Sequence, residues 1–342
     1  MTDSLSTLMR SMYDERHPED GRIGKLMSRK LQTGGVVDLE IFFSGMRRQE
    51  YERKNEAIDL SRQRGEQVPC RLCFSSSSLI YHCRLAITPD EVPFFPYHML
   101  LRPITPKVFD TSFKSVGRNL KLGLIEKHHL DCRPGFNYED IVIMSWLVKD
   151  ARDYMVTQSF GGSGASVPEH VHAHAFPKNQ TDFPLMRRVC FTRLRGTDNI
   201  WVNRHITYAI LVRGNPETIA EVFVGLHALL RLPSNHYIMI DNDFGGLIGV
   251  YVPRVRDLPL VPRRLRAAAW KFGAFEVLGL YDAKNEELYD SLKFNEAYMA
   301  THSVTLHDPE LQRDAERAAQ ELVLKSRNKW RRISEHATHI VR

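Results

Sequence analysis

Residues 161–177 read GGSGASVPEHVHAHAFP, with His170, His172 and His174 at every second position directly behind a glycine-rich stretch. Strict alternation is a strand signature, because successive side chains of a β-strand point to opposite faces. The three rings therefore form one row, while Val171, Ala173 and Ala175 turn toward a packing layer. Such a row either holds a metal or works on an anionic substrate as nucleophile and proton relay. A purely structural row is disfavoured, since three rings on one face are costly to desolvate unpaired. The preceding loop favours the anion. Gly161, Gly162 and Gly164 let backbone N–H groups approach an oxyanion, and Ser166 adds a hydroxyl. A phosphate held there lies before the middle ring, and a neutral imidazole, with its ordinary pKa near about 6.5, attacks phosphorus well and leaves well.

The remainder of the chain limits where this strand can sit. The 342 residues can bury a substantial core and suggest two domains or one duplicated one. No apolar run reaches the roughly 20 residues needed to span a bilayer, and no membrane partner is expected. The polar N-terminus lacks the pattern of a signal peptide, and the five cysteines do not make a disulfide framework, so a reducing, cytoplasmic setting is expected. The net charge of +6 suits a phosphate-rich ligand, nucleic acid among them, although each basic cluster reads more simply as a solvated face.

Four segments follow from texture. Residues 1–66 are polar and charged and read as a helical extension. Residues 67–185 give a strand pair ending in the apolar "HMLL", a helix, the glycine loop and the histidine strand. The helix is marked by a capping pattern at Asn137 and Asp140 and an apolar face of Ile141, Met144, Leu147, Val148, Ala151 and Met155. Residues 186–300 repeat the order loosely: "WVNRHITYAILVRG" as strand, "PETIAEVFVGLHALLRLP" as helix, and a hairpin turning over Asn242–Gly246. Residues 301–342 form a long charged helix, a brace or a partner surface. Arg254 and Lys271 are candidate phosphate clamps that read more simply as surface charges. "DNDFGG" lacks the ligand spacing of a calcium loop and reads as a turn.

"HVHAHAF" matches the histidine-triad pattern residue for residue, and "DEVPFFPYHMLLRP" resembles the nucleotide-binding strand pair of that superfamily. Length and duplication are similar to the branch of galactose-1-phosphate uridylyltransferases, diadenosine tetraphosphate phosphorylases and GDP-hexose phosphorylases. The resemblance runs over roughly residues 68 to 290, densest at the triad. It implies an α+β, duplicated histidine-triad-like fold of antiparallel sheets with packed helices, in which only the first half keeps the chemistry. It implies a nucleotidyltransferase or phosphorylase acting on a nucleotide sugar or dinucleoside polyphosphate, with phosphate or a sugar phosphate as acceptor and homodimers common among relatives.

In residue terms the resemblance makes His172 the nucleophile and His170 and His174 its orienting and proton-handling neighbours. Asp90 becomes the ribose-binding acid, Gln158 a residue facing the phosphates, and Gly161, Gly164 and Ser166 the phosphate loop. His98 falls where the chain turns back into the sheet. No cofactor is required. Some relatives hold structural zinc with a C-x-x-C pair, for which Cys70 and Cys73 are candidates with His170, against two buried free thiols. Two departures stand out: the branch usually has Gln where this chain has His174, and three residues separate Ser166 from His170 where many members have two. Histidine at the third position is commoner in the small hydrolases of the superfamily, so a nucleotide hydrolase using water is the first alternative. A basic protein binding nucleic-acid ends is the second.

Overall fold

The computed structural model describes residues 4–17, 27–31, 39–43, isolated positions between 49 and 64, 77–82, 84–90, 93–103, 114–117, 120–125, 136–160, 171–180, 183–256, 258–261, 272–283 and 285–340. The expected readings at Cys70, Cys73, Gly161, Gly162, Gly164, Ser166, His170 and Lys271 lie outside these residues.

Among the described residues twelve strands form one sheet. In chain order they are β3 (Ser77–His82), β4 (Leu85–Pro89), β5 (Met99–Pro103), β6 (Lys114–Gly117), β7 (Leu120–Ile125), β8 (Tyr154–Phe160), β9 (Ala173–Pro177), β10 (Thr192–Arg193), β11 (Ile200–Arg204), β12 (Tyr208–Arg213), β13 (Ser234–Asp241) and β14 (Gly246–Pro253). Their spatial order is β10-β11-β12-β14-β13-β8-β9-β5-β4-β3-β7-β6. Helix α2 (Tyr138–Asp150) precedes β8 and helix α3 (Pro216–Leu230) precedes β13.

The duplication is written in this order. β4, β5, α2, β8 and β9 make one unit, and β11, β12, α3, β13 and β14 make the other. In each, the last strand inserts between the second and third, giving β4-β5-β9-β8 and β11-β12-β14-β13. The units meet where β8 pairs antiparallel with β13, from Met155↔Met239 to Phe160↔Ser234. Sequence reading expects one strand over residues 201–214; the structure breaks it at residues 205–207 into β11 and β12.

Helices cover one face. α2 begins with the expected capping box, Asn137 accepting from the Asp140 N–H at 3.0 Å and Asp140 accepting from the Asn137 N–H at 2.9 Å. The expected apolar stripe is one turn too long: the helix stops at Asp150, Ala151 is its C-cap, and Met155 already belongs to β8. α3 lies so close to β14 that a Cβ on Gly249 would stand 2.5 Å from Ile219 Cγ2 and 2.8 Å from Phe223 Cζ. The long C-terminal helix α6 (Pro309–Ile340) packs on α3. Thr218 and Ser326 share a hydroxyl hydrogen bond of 2.8 Å, and Glu316 accepts two bonds from Arg204 at 3.0 and 2.5 Å. These contacts give that helix the bracing role. Among the described residues no helix is long and apolar enough to cross a membrane.

The opposite face is covered differently. Residues 1–66 are not wholly helical: α1 (Leu5–Arg16) is followed by β1 (Met27–Leu31) and β2 (Leu39–Phe43). β2 pairs with β1 antiparallel and with the short β15 (Leu280–Asp282) in parallel, a three-stranded layer of its own. "LEIFF" is mostly buried there, so the charges after it mislead a helical reading. Phe275 is the hub between this layer and the large sheet, with ring centroids 4.7 Å from Phe94, 5.7 Å from Phe95, 5.5 Å from Phe176 and 5.8 Å from Phe183. Two short helices, α4 (Glu286–Ser291) and α5 (Phe294–Val304), lead to α6.

Gly249→Ala overpacks the α3 contact and is expected to cost about 1–3 kcal/mol in chemical unfolding. A second expectation concerns Glu276, whose carboxyl burial and the nearby Asp282 push up from 4.5 to about 7. The folded chain keeps a proton that the unfolded chain has released, so this group's contribution is complete below pH 4.5 and is lost as pH rises through 7. Glu276→Gln, titrated by thermal unfolding, is expected to lose less stability than the parent chain between those pH values.

Candidate active site

The β8–β9 register sets Thr157 opposite His174 and Gln158 opposite Ala173. Paired residues share a face, so His172, His174, Thr157 and, through β5, Leu100 lie on one side of the sheet. Ala173 and Ala175 are wholly buried on the other. The two described members of the row are close: the His172 and His174 rings are 5.2 Å apart at 81°, edge to face. His172 is 7% exposed.

His174 is held from below by a residue that the sequence marks only as a turning point. His98, the residue before β5, is fully buried and its Nε2 lies 2.9 Å from His174 Nδ1. The Phe94 backbone N–H donates to His98 Nδ1 at 3.1 Å. A backbone N–H can only donate, so in the neutral ring His98 Nδ1 is the acceptor and Nε2 carries the hydrogen. That hydrogen goes to His174 Nδ1, which leaves the hydrogen of neutral His174 on Nε2. One peptide group thus sets two tautomers in sequence. The turn that presents it is tight: Tyr97 adopts φ 61, and the His98 N–H closes on the Phe95 carbonyl at 3.2 Å.

Asp90 stands beside the same pair. Its Oδ2 is 3.6 Å from His98 Nδ1 and 3.8 Å from His174 Nδ1. Its main chain is fixed by its N–H to the His98 carbonyl at 2.9 Å, and its carbonyl lies 3.0 Å from His17 Nε2. A carboxylate at this distance favours positive charge on either ring when a proton is taken up. Asp90, His98 and His174 also bring one possible ligand atom each within 4.8 Å of one another. A metal there would have to displace the Phe94–His98–His174 chain, since that chain uses both His98 nitrogens. Among the described residues the geometry suits a hydrogen-bonded array better than a coordination sphere.

Gln158 requires a correction. Expected to face the phosphates, it projects from the opposite face, under the helices, because one residue along a strand reverses the side. Its side-chain amide nitrogen meets His236 Nδ1, while Ser234 Oγ lies 2.8 Å from His236 Nε2. Burial and the neighbouring His227 hold His236 down at about 3, so this ring stays neutral. Arg254 is corrected as well: it is wholly buried rather than a surface charge. It donates to Asn235 Oδ1 at 3.1 Å and to the Phe272 carbonyl at 2.9 Å. The structure therefore brings His172, His174, Asp90 and His98 together, and Gln158 lies on the other face of the sheet.

At about pH 8, 15N-resolved NMR of the histidine rings is expected to find His98 and His174 both protonated on Nε2 alone. His98→Phe removes the constraint and is expected to leave His174 in a mixture of tautomers.

No protein-family model and no curated protein matches the sequence. Solved structures do. The yeast Ap4A phosphorylase Apa2 in complex with AMP superposes with a TM-score of 0.55 at 12% identity, covering 89% of this chain and 97% of that one. Apa2 in complex with Ap4A gives 0.51 at 11% identity over the same shares, 89% and 97%. An ADP-glucose phosphorylase from Arabidopsis thaliana with bound ADP-glucose gives 0.31 at 9% identity, covering 82% of this chain and 100% of that one. The likeness to Apa2 takes in nearly the whole of both chains, and the fold expected from the histidine motif is the fold this chain has.

Proposed function

We propose that the chain is a nucleotidyltransferase of the phosphorylase type, working through a nucleoside-monophosphate–histidine intermediate on His172. The observation that carries the proposal is His172 beside a His174 whose tautomer is fixed by His98 and the Phe94 N–H. The whole-length likeness to a fold that binds AMP and Ap4A in Apa2 supports the substrate class.

In the first step a ring nitrogen of His172 attacks the α-phosphorus of a dinucleoside polyphosphate or nucleotide sugar. The bond to the bridging oxygen breaks, and the leaving polyphosphate or sugar phosphate takes the electron pair. His174, with its hydrogen on Nε2, supplies a hydrogen bond to an oxygen of the reacting group, and Asp90 stabilises positive charge on the ring pair. In the second step an oxygen of inorganic phosphate or a sugar phosphate displaces His172 from phosphorus. Splitting one displacement into two lets each pass with a good leaving group. His170 and the Gly161–Ser166 loop belong to this reading as a further proton-handling ring and as phosphate donors, and Asp90 has the ribose as a second partner. Phosphoryl chemistry of this kind needs positioning and charge more than a metal.

Intact-protein mass spectrometry after brief incubation with Ap4A, ADP-glucose, GDP-glucose and UDP-glucose tests the reading. A gain of one nucleoside monophosphate is expected with at least one compound, and none in His172→Ala or His172→Gly. Discharge of that adduct by phosphate identifies a phosphorylase, and discharge by water alone identifies a hydrolase. Absence of both adduct and turnover across the panel overturns the proposal.

A further inference from the structure

The histidine face carries a second polar chain, which crosses the seam between the repeats. After Thr157↔His174 and Gln158↔Ala173, the next residue of β8 is Ser159, one step on in the direction of His172. Alternation gives Ser159 the same face as Thr157 and the histidines. Across the seam its partner is Asn235 of β13. Asn235 Nδ2 donates to Ser159 Oγ at 2.8 Å, and Arg254, just beyond β14, donates to Asn235 Oδ1 at 3.1 Å. Arg254 is itself fixed by bonds to the carbonyls of Phe272 at 2.9 Å and Arg256 at 3.0 Å.

The direction of this chain follows from chemistry. A guanidinium has donors only, so the Asn235 oxygen must face Arg254 and its NH2 must face Ser159. Ser159 Oγ accepts that hydrogen, and its own hydrogen is directed away from Asn235. The buried cation at the far end polarises the amide and, through it, the hydroxyl.

We propose that Ser159 donates a hydrogen bond to the phosphoryl group attacked by His172, and that Asn235 and Arg254 of the second repeat are positioning residues holding it in donor orientation. The proposal rests on the nucleotidyl-transfer reading of the site. Charge grows on the phosphoryl oxygens as the nucleotide moves between donor and histidine, and a donor aimed beforehand stabilises it without reorganising. The half without the triad thereby contributes to the reaction at a distance of two side chains.

The test uses Ser159→Ala, Asn235→Asp and the double variant. Aspartate keeps an acceptor for Arg254 but has no hydrogen for Ser159, so the hydroxyl turns to donate to it and away from the phosphate. Each single variant is expected to slow single-turnover adduct formation by about 10- to 100-fold, with KM changed by less than about threefold. The double variant is expected to be no slower than either single one. In parallel, calorimetry with AMP, GMP and UMP, whose terminal phosphate already carries the charge that the transferring group only develops, is expected to show weakened binding in the same variants, and with the corresponding nucleosides no change. An Asn235→Asp variant within about twofold of the parent rate, or losses that multiply in the double variant, would refute the proposal. A parent chain that binds a mononucleotide through its phosphate but forms no adduct defeats the transfer reading, and the binding series then decides the Ser159 chain alone. A parent chain that binds no mononucleotide overturns both.

Discussion

The ladder between β8 and β13 holds the molecule together. It joins two five-element units into one twelve-stranded sheet, and it is the place where side chains from both units share a face. A strand in the middle of a sheet must satisfy its backbone groups on both sides. β8 does so with β9, which carries the histidines, and with β13, which belongs to the other repeat. The register of β8 therefore fixes the histidine row and the second repeat to one another. A slip of one residue would send His174 under the helices and bring Ala173 to the site.

The two faces of β8 meet different environments, and this sorts its polar residues. On the helix side, Gln158 and His236 are buried among Phe223 and Tyr251, and His236 is kept neutral by desolvation. On the other side, His98 stands against Phe94 and Phe176 of the aromatic cluster around Phe275, and His174 beyond it retains 23% of its side-chain exposure. The first set fastens helices to the sheet. The second reaches the surface through His174.

Orientation within the open set comes from groups with one possible polarity. The Phe94 N–H and the Arg254 guanidinium can only donate, and each imposes a direction on the amphoteric groups beyond it. An imidazole next to nothing but imidazoles would exchange tautomers freely. With a peptide N–H at the root, His98 and then His174 have one arrangement available when neutral. Electrostatic order at the site is thus inherited from backbone geometry, including the left-handed turn at Tyr97.

The sequence alone determined the strand character of Ala173–Pro177, its alternation of faces, the capped helix before it and the helix and hairpin of the second unit, because period and capping are local properties of the chain. It led to the correct duplicated fold, since the motif is dense at residues 170–176. It misjudged the N-terminal "LEIFF", whose strand pairs with β1 on one side and on the other with β15, over 200 residues further along the chain. The resemblance pointed Gln158 at the phosphates, but the β8–β9 register pairs it with Ala173 and so turns it to the other face; which residue of "YMVTQSF" shares a face with the histidines is set by pairing and not by any local signal. His98 was visible as a residue but not as a partner of His174, and Arg254 read as a surface charge although nothing solvates it. Such pairings depend on which strands become neighbours, and strand order is decided by the packing of two repeats around one seam.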